Sequence, residues 1–92
     1  MSHRVEFSPS ARADQRRLIA FLDSESPKAA VRAVEVLSAA FDLLAAFPRS
    51  GAPTSKGRVY VVRFGQAGYA IRYRIYGDVV LVSRIFHTRE HR

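Results

Sequence analysis

The chain has 92 residues, 48% of them apolar and 25% charged, which is the balance of one folded domain with one core and excludes a disordered chain or a second lobe. It contains no cysteine, so a disulfide framework and thiolate metal ligation are both excluded, and no stretch approaches the run of about 18 apolar residues that a membrane span requires. The net charge is +7, and only Lys28 and Lys56 among the cations are lysines; arginine's planar fork of donors suits carboxylates and phosphates, so the expected partner is anionic.

Met1 to Phe7 has no apolar run and reads neither as a secretory signal nor as an anchor, which makes the cytoplasm the expected location. Within it, Arg4 to Phe7 alternates polar and apolar residues and predicts a short strand with Val5 and Phe7 on one face. Ser8-Pro9-Ser10 ends the strand and opens a helix, because a serine side chain caps free amides and proline is tolerated in a first turn. Ala11, Leu18, Ile19 and Leu22 form its apolar stripe, leaving Arg12, Asp14, Arg16 and Arg17 for solvent. Asp23 to Ser26 breaks the pattern, and Ser26-Pro27 repeats the capping signal. The second helix carries Ala30, Val31, Val34, Leu37, Phe41, Leu44 and Ala45 inward and ends at Phe47-Pro48. Its short connection to the first helix predicts an antiparallel hairpin.

Arg49 to Gly57 holds two glycines, a proline and small polar residues, and reads as a mobile loop. Three strands are expected beyond it: Arg58 to Phe64, Tyr69 to Tyr76 and Val79 to Phe86, with a turn at Gly65 to Gly68 and a two-residue hairpin at Gly77-Asp78. His87 to Arg92 is a polar tail. The order β-α-α-β-β-β describes an α+β domain spanning residues 1–92, a helical hairpin packed on one face of an antiparallel sheet.

With Gly77-Asp78 as the loop, directly opposite residues share a face. The core face then takes Tyr69, Ile71, Tyr73, Ile75, Val80, Val82, Arg84 and Phe86; the open face takes Ala70, Arg72, Arg74, Leu81, Ser83, Ile85 and His87. Arg84 is anomalous in that list. Buried without a partner it would cost several kcal/mol, so it is expected at the sheet margin or paired with an acid or carbonyls.

His3, His87 and His91 share no ligand spacing with carboxylates, and the glycines of the third turn join two strands, so neither a metal site nor a phosphate loop is expected, and no cofactor. Ser83 and His87 lie roughly 13 Å apart at about 3.3 Å per residue, too far for a nucleophile–base pair. His87 remains the candidate proton carrier of the strands.

The segments Phe47 to Gly51 (FPRSG), Gly68 to Ile75 (GYAIRYRI) and Val80 to Arg89 (VLVSRIFHTR), with Val5 to Ala11 (VEFSPSA) and Ser26 to Ala30 (SPKAA), resemble the RelE/ParE toxin superfamily over nearly the whole chain. The resemblance implies a toxin of a type II toxin–antitoxin system, neutralised by a cognate antitoxin and able to enter a toxin–antitoxin hetero-oligomer. RelE-like nucleases place an arginine after the Gly-Tyr of the penultimate strand; that position here is Ala70, and no tyrosine follows the last strand. The ending Arg84 to Arg89 is similar to the ParE type, which implies inhibition of DNA gyrase by binding, with Arg72, Arg74, Arg84, His87 and Arg89 as target-binding residues and no catalytic ones. The alternative is a RelE-like endoribonuclease that cleaves ribosome-bound mRNA with His87, Arg72, Arg74 and Arg89. A third is a family member that keeps the fold without toxicity. A free sheet edge and a helical surface on a basic chain suit an acidic peptide that folds on binding, with Leu18 and Leu22 as expected antitoxin contacts.

Overall fold

The computed structural model describes residues 2–89. The end of the expected tail, Glu90 to Arg92 with His91, lies outside them. The elements run β1 (Arg4–Phe7), α1 (Pro9–Glu25), α2 (Pro27–Ala46), a single 3-10 turn (Pro48–Ser50), β2 (Ala52–Thr54), β3 (Gly57–Phe64), β4 (Ala67–Tyr76) and β5 (Val79–His87). The strand–helix–helix–strands order expected from the sequence is present. The five strands are arranged β1-β5-β4-β3-β2, and β1 joins β5 in parallel while every other pair is antiparallel, so the sheet is mixed.

Both helices start where the serines place them. Ser8 Oγ accepts the amide of Ala11 at 3.0 Å and Ser26 Oγ that of Ala29 at 3.3 Å, each with proline in the following position. The first helix is longer than expected and runs through Glu25, so that Ser26 alone, in an extended conformation, separates the two. The buried stripe of α2 is Ala30, Ala33, Leu37, Ala40 and Leu44, a 3-4-3-4 spacing. Val31 and Val34, expected inward, are 62% and 48% exposed. The small alanines occupy the tightly packed line, and the valines are turned out by rotation about the helix axis. Leu18, Leu37 and Leu44 meet Tyr69, Ile71, Tyr73, Val80, Val82 and Ile85 of the sheet in one core, with Phe7 and Phe41 edge to face beside it at 4.9 Å.

The Gly77-Asp78 hairpin forms as expected, pairing Tyr76 with Val79. The preceding turn is tighter than expected: it uses only Gly65 and Gln66, and β4 begins at Ala67. Each turn has its glycine first and at positive φ, the backbone a two-residue hairpin of this hand requires. The segment expected to be a mobile loop is ordered by its neighbours. Tyr73 Oη donates to Pro48 O at 2.6 Å and accepts the Gly51 amide at 2.8 Å, while Arg58 Nη1 donates to Gly51 O at 2.7 Å. Three residues then pair with β3 as the short edge strand β2, whose Pro53 concealed it in the sequence.

The main departure lies in β5. Tyr73 pairs with Val82, yet Arg72 pairs with Arg84, so Ser83 is an extra residue and the ladder carries a β-bulge. On the turn side of the bulge the expected faces hold, with Val80 and Val82 fully buried. Beyond it they exchange. Ile85 lies opposite Ile71 and His87 opposite Tyr69, on the core face, while Arg84 and Phe86 lie opposite Arg72 and Ala70 on the open face. The expected placement of Arg84 and Phe86 inward, and of Ile85 and His87 outward, is therefore reversed. A sequence register counted from the turn cannot see an unpaired residue.

The bulge coincides with the end of β1. Past the Phe7–Val82 pair, α1 covers the edge of β5: Ser8 N donates to Val82 O at 2.9 Å, Ser8 Oγ to Ser83 O at 2.9 Å, and the amide of Ile85 to Asp14 Oδ2 at 2.8 Å. The capping Ser8, through its amide and hydroxyl, and the Asp14 side chain thus satisfy backbone groups that a longer β1 would otherwise have paired.

Candidate functional site

The helices cover one face of the sheet; the other is open and strongly basic. The strands place Arg4, Arg63, Arg72, Arg74 and Arg84 there, and the carboxylate they add is Glu6, which pairs with Arg4 at 3.5 Å. Tyr76 and Val61 stand exposed on the same face. At its centre Lys56, Arg72, Arg84 and Phe86 line a recess of about 180 Å³.

Two arginines directly across a ladder repel each other, and Arg72 and Arg84 are such a pair. Their neighbours offset the repulsion. The Arg72 guanidinium lies over the Phe86 ring, 5.6 Å from its centroid, a favourable cation–π contact. Its Nε is buried and has no acceptor among the described residues. Arg84 is held from the side by Asp14, which accepts Arg84 Nε at 2.8 Å and Nη2 at 3.2 Å. That fork-to-carboxylate geometry is the strong form of the pair. Arg84 is thus partnered by an acid at the sheet margin, as expected, but it reaches that acid from the open face, where the bulge places it and where a third of its side chain stays in solvent.

Asp14 itself was expected in solvent and is instead 5% exposed. Burial pushes its carboxyl up, but the hydrogen bonds from Arg84 and Ile85, the Arg84 charge and the bond from Arg17 outweigh this and hold it below the ordinary carboxylate value. The sequence does contain the signal for its burial. Ala11, Asp14 and Leu18 fall on one 3-4 stripe, so an acid on that line needs an inward partner.

Of the expected target-binding residues, the structure gathers Arg72, Arg74 and Arg84 on one face. His87 and Arg89 are elsewhere. His87 packs on the core side, its ring 5.8 Å from that of Tyr69, and its Nδ1 accepts the Arg89 amide at 3.2 Å. Burial raises the phenol of Tyr69 above its ordinary value. His87 and Arg89 line a different cavity of about 510 Å³, whose walls include Leu18, Phe21, Leu22, Phe64 and Tyr69, with Arg17 at its margin. Leu18, expected as an antitoxin contact, is 7% exposed and belongs to the core; Leu22 is half-buried, and Phe21, not singled out in the sequence, is 61% exposed beside them. Lys56 and Phe86 are also additions to the site. Lys56 lies in the turn between β2 and β3, where the sequence carries no strand signal, and Phe86 falls on the open face because of the bulge. Among the described residues no group of His, Asp and Glu is placed to hold a metal ion.

A helical hairpin packed on a small mixed sheet is the fold of the RelE/ParE superfamily of toxins. The fold matches the chromosomal ParDE system of P. aeruginosa with a TM-score of 0.73 at 18% identity, covering 94% of this chain and 96% of that one. It also matches the RelBE2 toxin–antitoxin complex of Mycobacterium tuberculosis with a TM-score of 0.61 at 28% identity, covering 95% and 99%. Residues 5–92 match the family model of the ParE toxin of the type II toxin–antitoxin system parDE, and the chain belongs to that family. Among relatives, it is 42% identical to Toxin RelE1 of Caulobacter vibrioides over 95 residues, with all of both chains covered. It is 37% identical to Toxin RelE3 of the same organism over 89 residues, covering 96% of this chain and 97% of the other.

Proposed function

We propose that this toxin acts by binding DNA gyrase through its open sheet face and is held inactive by a cognate antitoxin. The observation that carries the reading is the separation of charge from proton transfer. The bulge puts Arg84 on the open face beside Arg72 and His87 on the other face, so among the described residues the cationic recess is lined by no histidine. Cleaving RNA through its 2′-hydroxyl needs proton transfer as well as cations at the phosphate. Recognition of an anionic or acidic surface needs only the cations.

A second reading is favoured by a specific observation. The relatives above carry the name RelE, and a recess of lysine and two arginines beside an aromatic ring also suits a phosphate next to a base. In that reading the toxin is a ribosome-dependent endoribonuclease working on mRNA.

One experiment separates them: supercoiling by purified gyrase and cleavage of ribosome-bound mRNA, measured side by side with the wild-type chain and the Arg72→Ala and His87→Ala variants. The gyrase reading expects inhibited supercoiling, lost in Arg72→Ala and retained in His87→Ala, with mRNA intact. Specific mRNA cuts together with unimpeded supercoiling would replace it with the second reading.

The antitoxin is placed by the same reasoning on the opposite side. The cavity between α1 and the β3–β4 turn region is walled by Phe21, Leu22, Phe64 and Tyr69 and edged by Arg17 and Arg89. It offers an apolar seat with a basic rim, which suits an acidic segment carrying apolar anchors.

A further inference from the structure

Asp14 stands on a helix of the covered side, yet its carboxylate reaches round the sheet edge and grips a side chain of the open face. We propose that Asp14 is a positioning residue for target binding: it sets the orientation of the Arg84 guanidinium in the recess with Lys56, Arg72 and Phe86. The inference rests on the proposed role of the open face.

Three observations point this way. First, Asp14 takes Nε and Nη2 of Arg84 together, at 2.8 and 3.2 Å, which fixes the plane of the guanidinium as well as its place. Second, the carboxylate is itself immobilised. It is 5% exposed, accepts the backbone amide of Ile85 at 2.8 Å, and forms an ion pair with Arg17 at 3.5 Å. A clamp anchored to the backbone of the residue following Arg84 defines that side chain relative to its own strand. Third, the pair is not needed to compensate a buried arginine, because the Arg84 side chain keeps a third of its surface in solvent. A flexible arginine at this exposure would be solvated in many rotamers, and ordering it beforehand removes a cost that binding would otherwise carry.

Electrostatics alone predicts the opposite sign. A carboxylate beside Arg84 lowers the positive potential of the recess, so neutralising it should strengthen the attraction for an anionic target. Positioning predicts that neutralising it weakens binding. The sign of the effect therefore distinguishes the two roles.

The test uses Asp14→Asn, whose retained oxygen can still accept both the Ile85 amide and Arg84 Nε, as Oδ2 does, while the acceptor for Arg84 Nη2 and the charge are lost and an amide donor faces the guanidinium instead. Inhibition of purified gyrase is measured for the wild-type chain, Asp14→Asn, Arg84→Ala and the double variant. In parallel, hydrogen exchange at the Arg84 Nη hydrogens is followed by NMR in the free chain. The expected result is a loss of inhibition of about tenfold in Asp14→Asn, the scale of removing one partner from a contact-making charge pair, with no further loss when it is combined with Arg84→Ala. Exchange at the Arg84 Nη hydrogens should accelerate, and affinity for the antitoxin should stay unchanged. Equal or stronger inhibition by Asp14→Asn overturns the proposal, as does additivity with Arg84→Ala. If the wild-type chain leaves gyrase unaffected, the gyrase reading fails, and the NMR measurement decides the positioning alone: unchanged exchange at Arg84 overturns it, accelerated exchange upholds it.

Discussion

Tyr73 joins the sheet to the segment between α2 and β3, and removing one oxygen atom tests what that joint contributes. In Tyr73→Phe the ring keeps its place in the core, where the tyrosine is fully buried, so no cavity opens and the change is confined to hydrogen bonding. The lost hydroxyl donates to Pro48 O at 2.6 Å and accepts from the buried amide of Gly51 at 2.8 Å. Pro48 is half-buried and its carbonyl can turn to water. The Gly51 amide is buried, and the Tyr73 hydroxyl is the acceptor it meets there, so the substitution leaves that donor unpaired. Two net hydrogen bonds at about 1 kcal/mol each, with one donor stranded, amount to a loss of about 2–3 kcal/mol. For a domain of this size that corresponds to a fall in Tm of roughly 10–20 °C. Urea unfolding followed by far-ultraviolet circular dichroism should show a lower midpoint with an unchanged slope. Amide exchange at Gly51 should rise with it. A loss below about 0.5 kcal/mol, within the range of a neutral surface change, would refute the reasoning that this hydroxyl fastens the segment.

The depressed carboxyl of Asp14 makes a signed prediction about acid stability. A group whose folded value lies below its unfolded one adds stability that is complete above the unfolded value and disappears as pH falls through the folded one. The stability difference between wild type and Asp14→Asn should therefore be constant from neutral pH down to about pH 5 and shrink below about pH 4. A difference that persists unchanged to pH 2.5 in urea titrations would contradict it. On the antitoxin side, Phe21→Ala should leave stability within about 0.5 kcal/mol because the ring is largely exposed, yet weaken antitoxin affinity at least tenfold if the ring is an anchor. Calorimetric titration showing equal affinities would remove that cavity from the interface.

What the sequence discloses divides along physical lines. Signals written in local chemistry were legible: Ser8 and Ser26 each cap a helix through a contact three residues away, and Gly77 sets its hairpin through its own φ. The element order followed from them apart from β2, while the parallel pairing of β1 with β5 did not. Less legible were features that depend on counting across the chain. The bulge at Ser83 leaves no local mark, and it reversed the assignment of four residues at the heart of the site. Alanine is equally compatible with either side of a helix, so the choice between Ala33 or Ala40 and Val31 or Val34 was made by packing rather than by hydrophobicity. Asp14 read as a surface charge because its partner is 70 positions away. The recess was half visible, since Arg72 and Arg84 were singled out while Lys56 and Phe86 were not.

The unpaired serine of β5 also has a meaning for how this strand encodes information. A strand normally has one phase: odd residues serve one side, even residues the other, and the two functions compete for no position. Here the phase is reset midway. Val80 and Val82 obey one parity and Ile85 and His87 the other, so a single strand feeds the core along its whole length while Arg84 and Phe86 reach the opposite surface. The cationic pair is consequently specified by chain length and not by the identity of residue 83. Substituting that serine alters a side chain; removing it would exchange the inside and the outside of everything that follows.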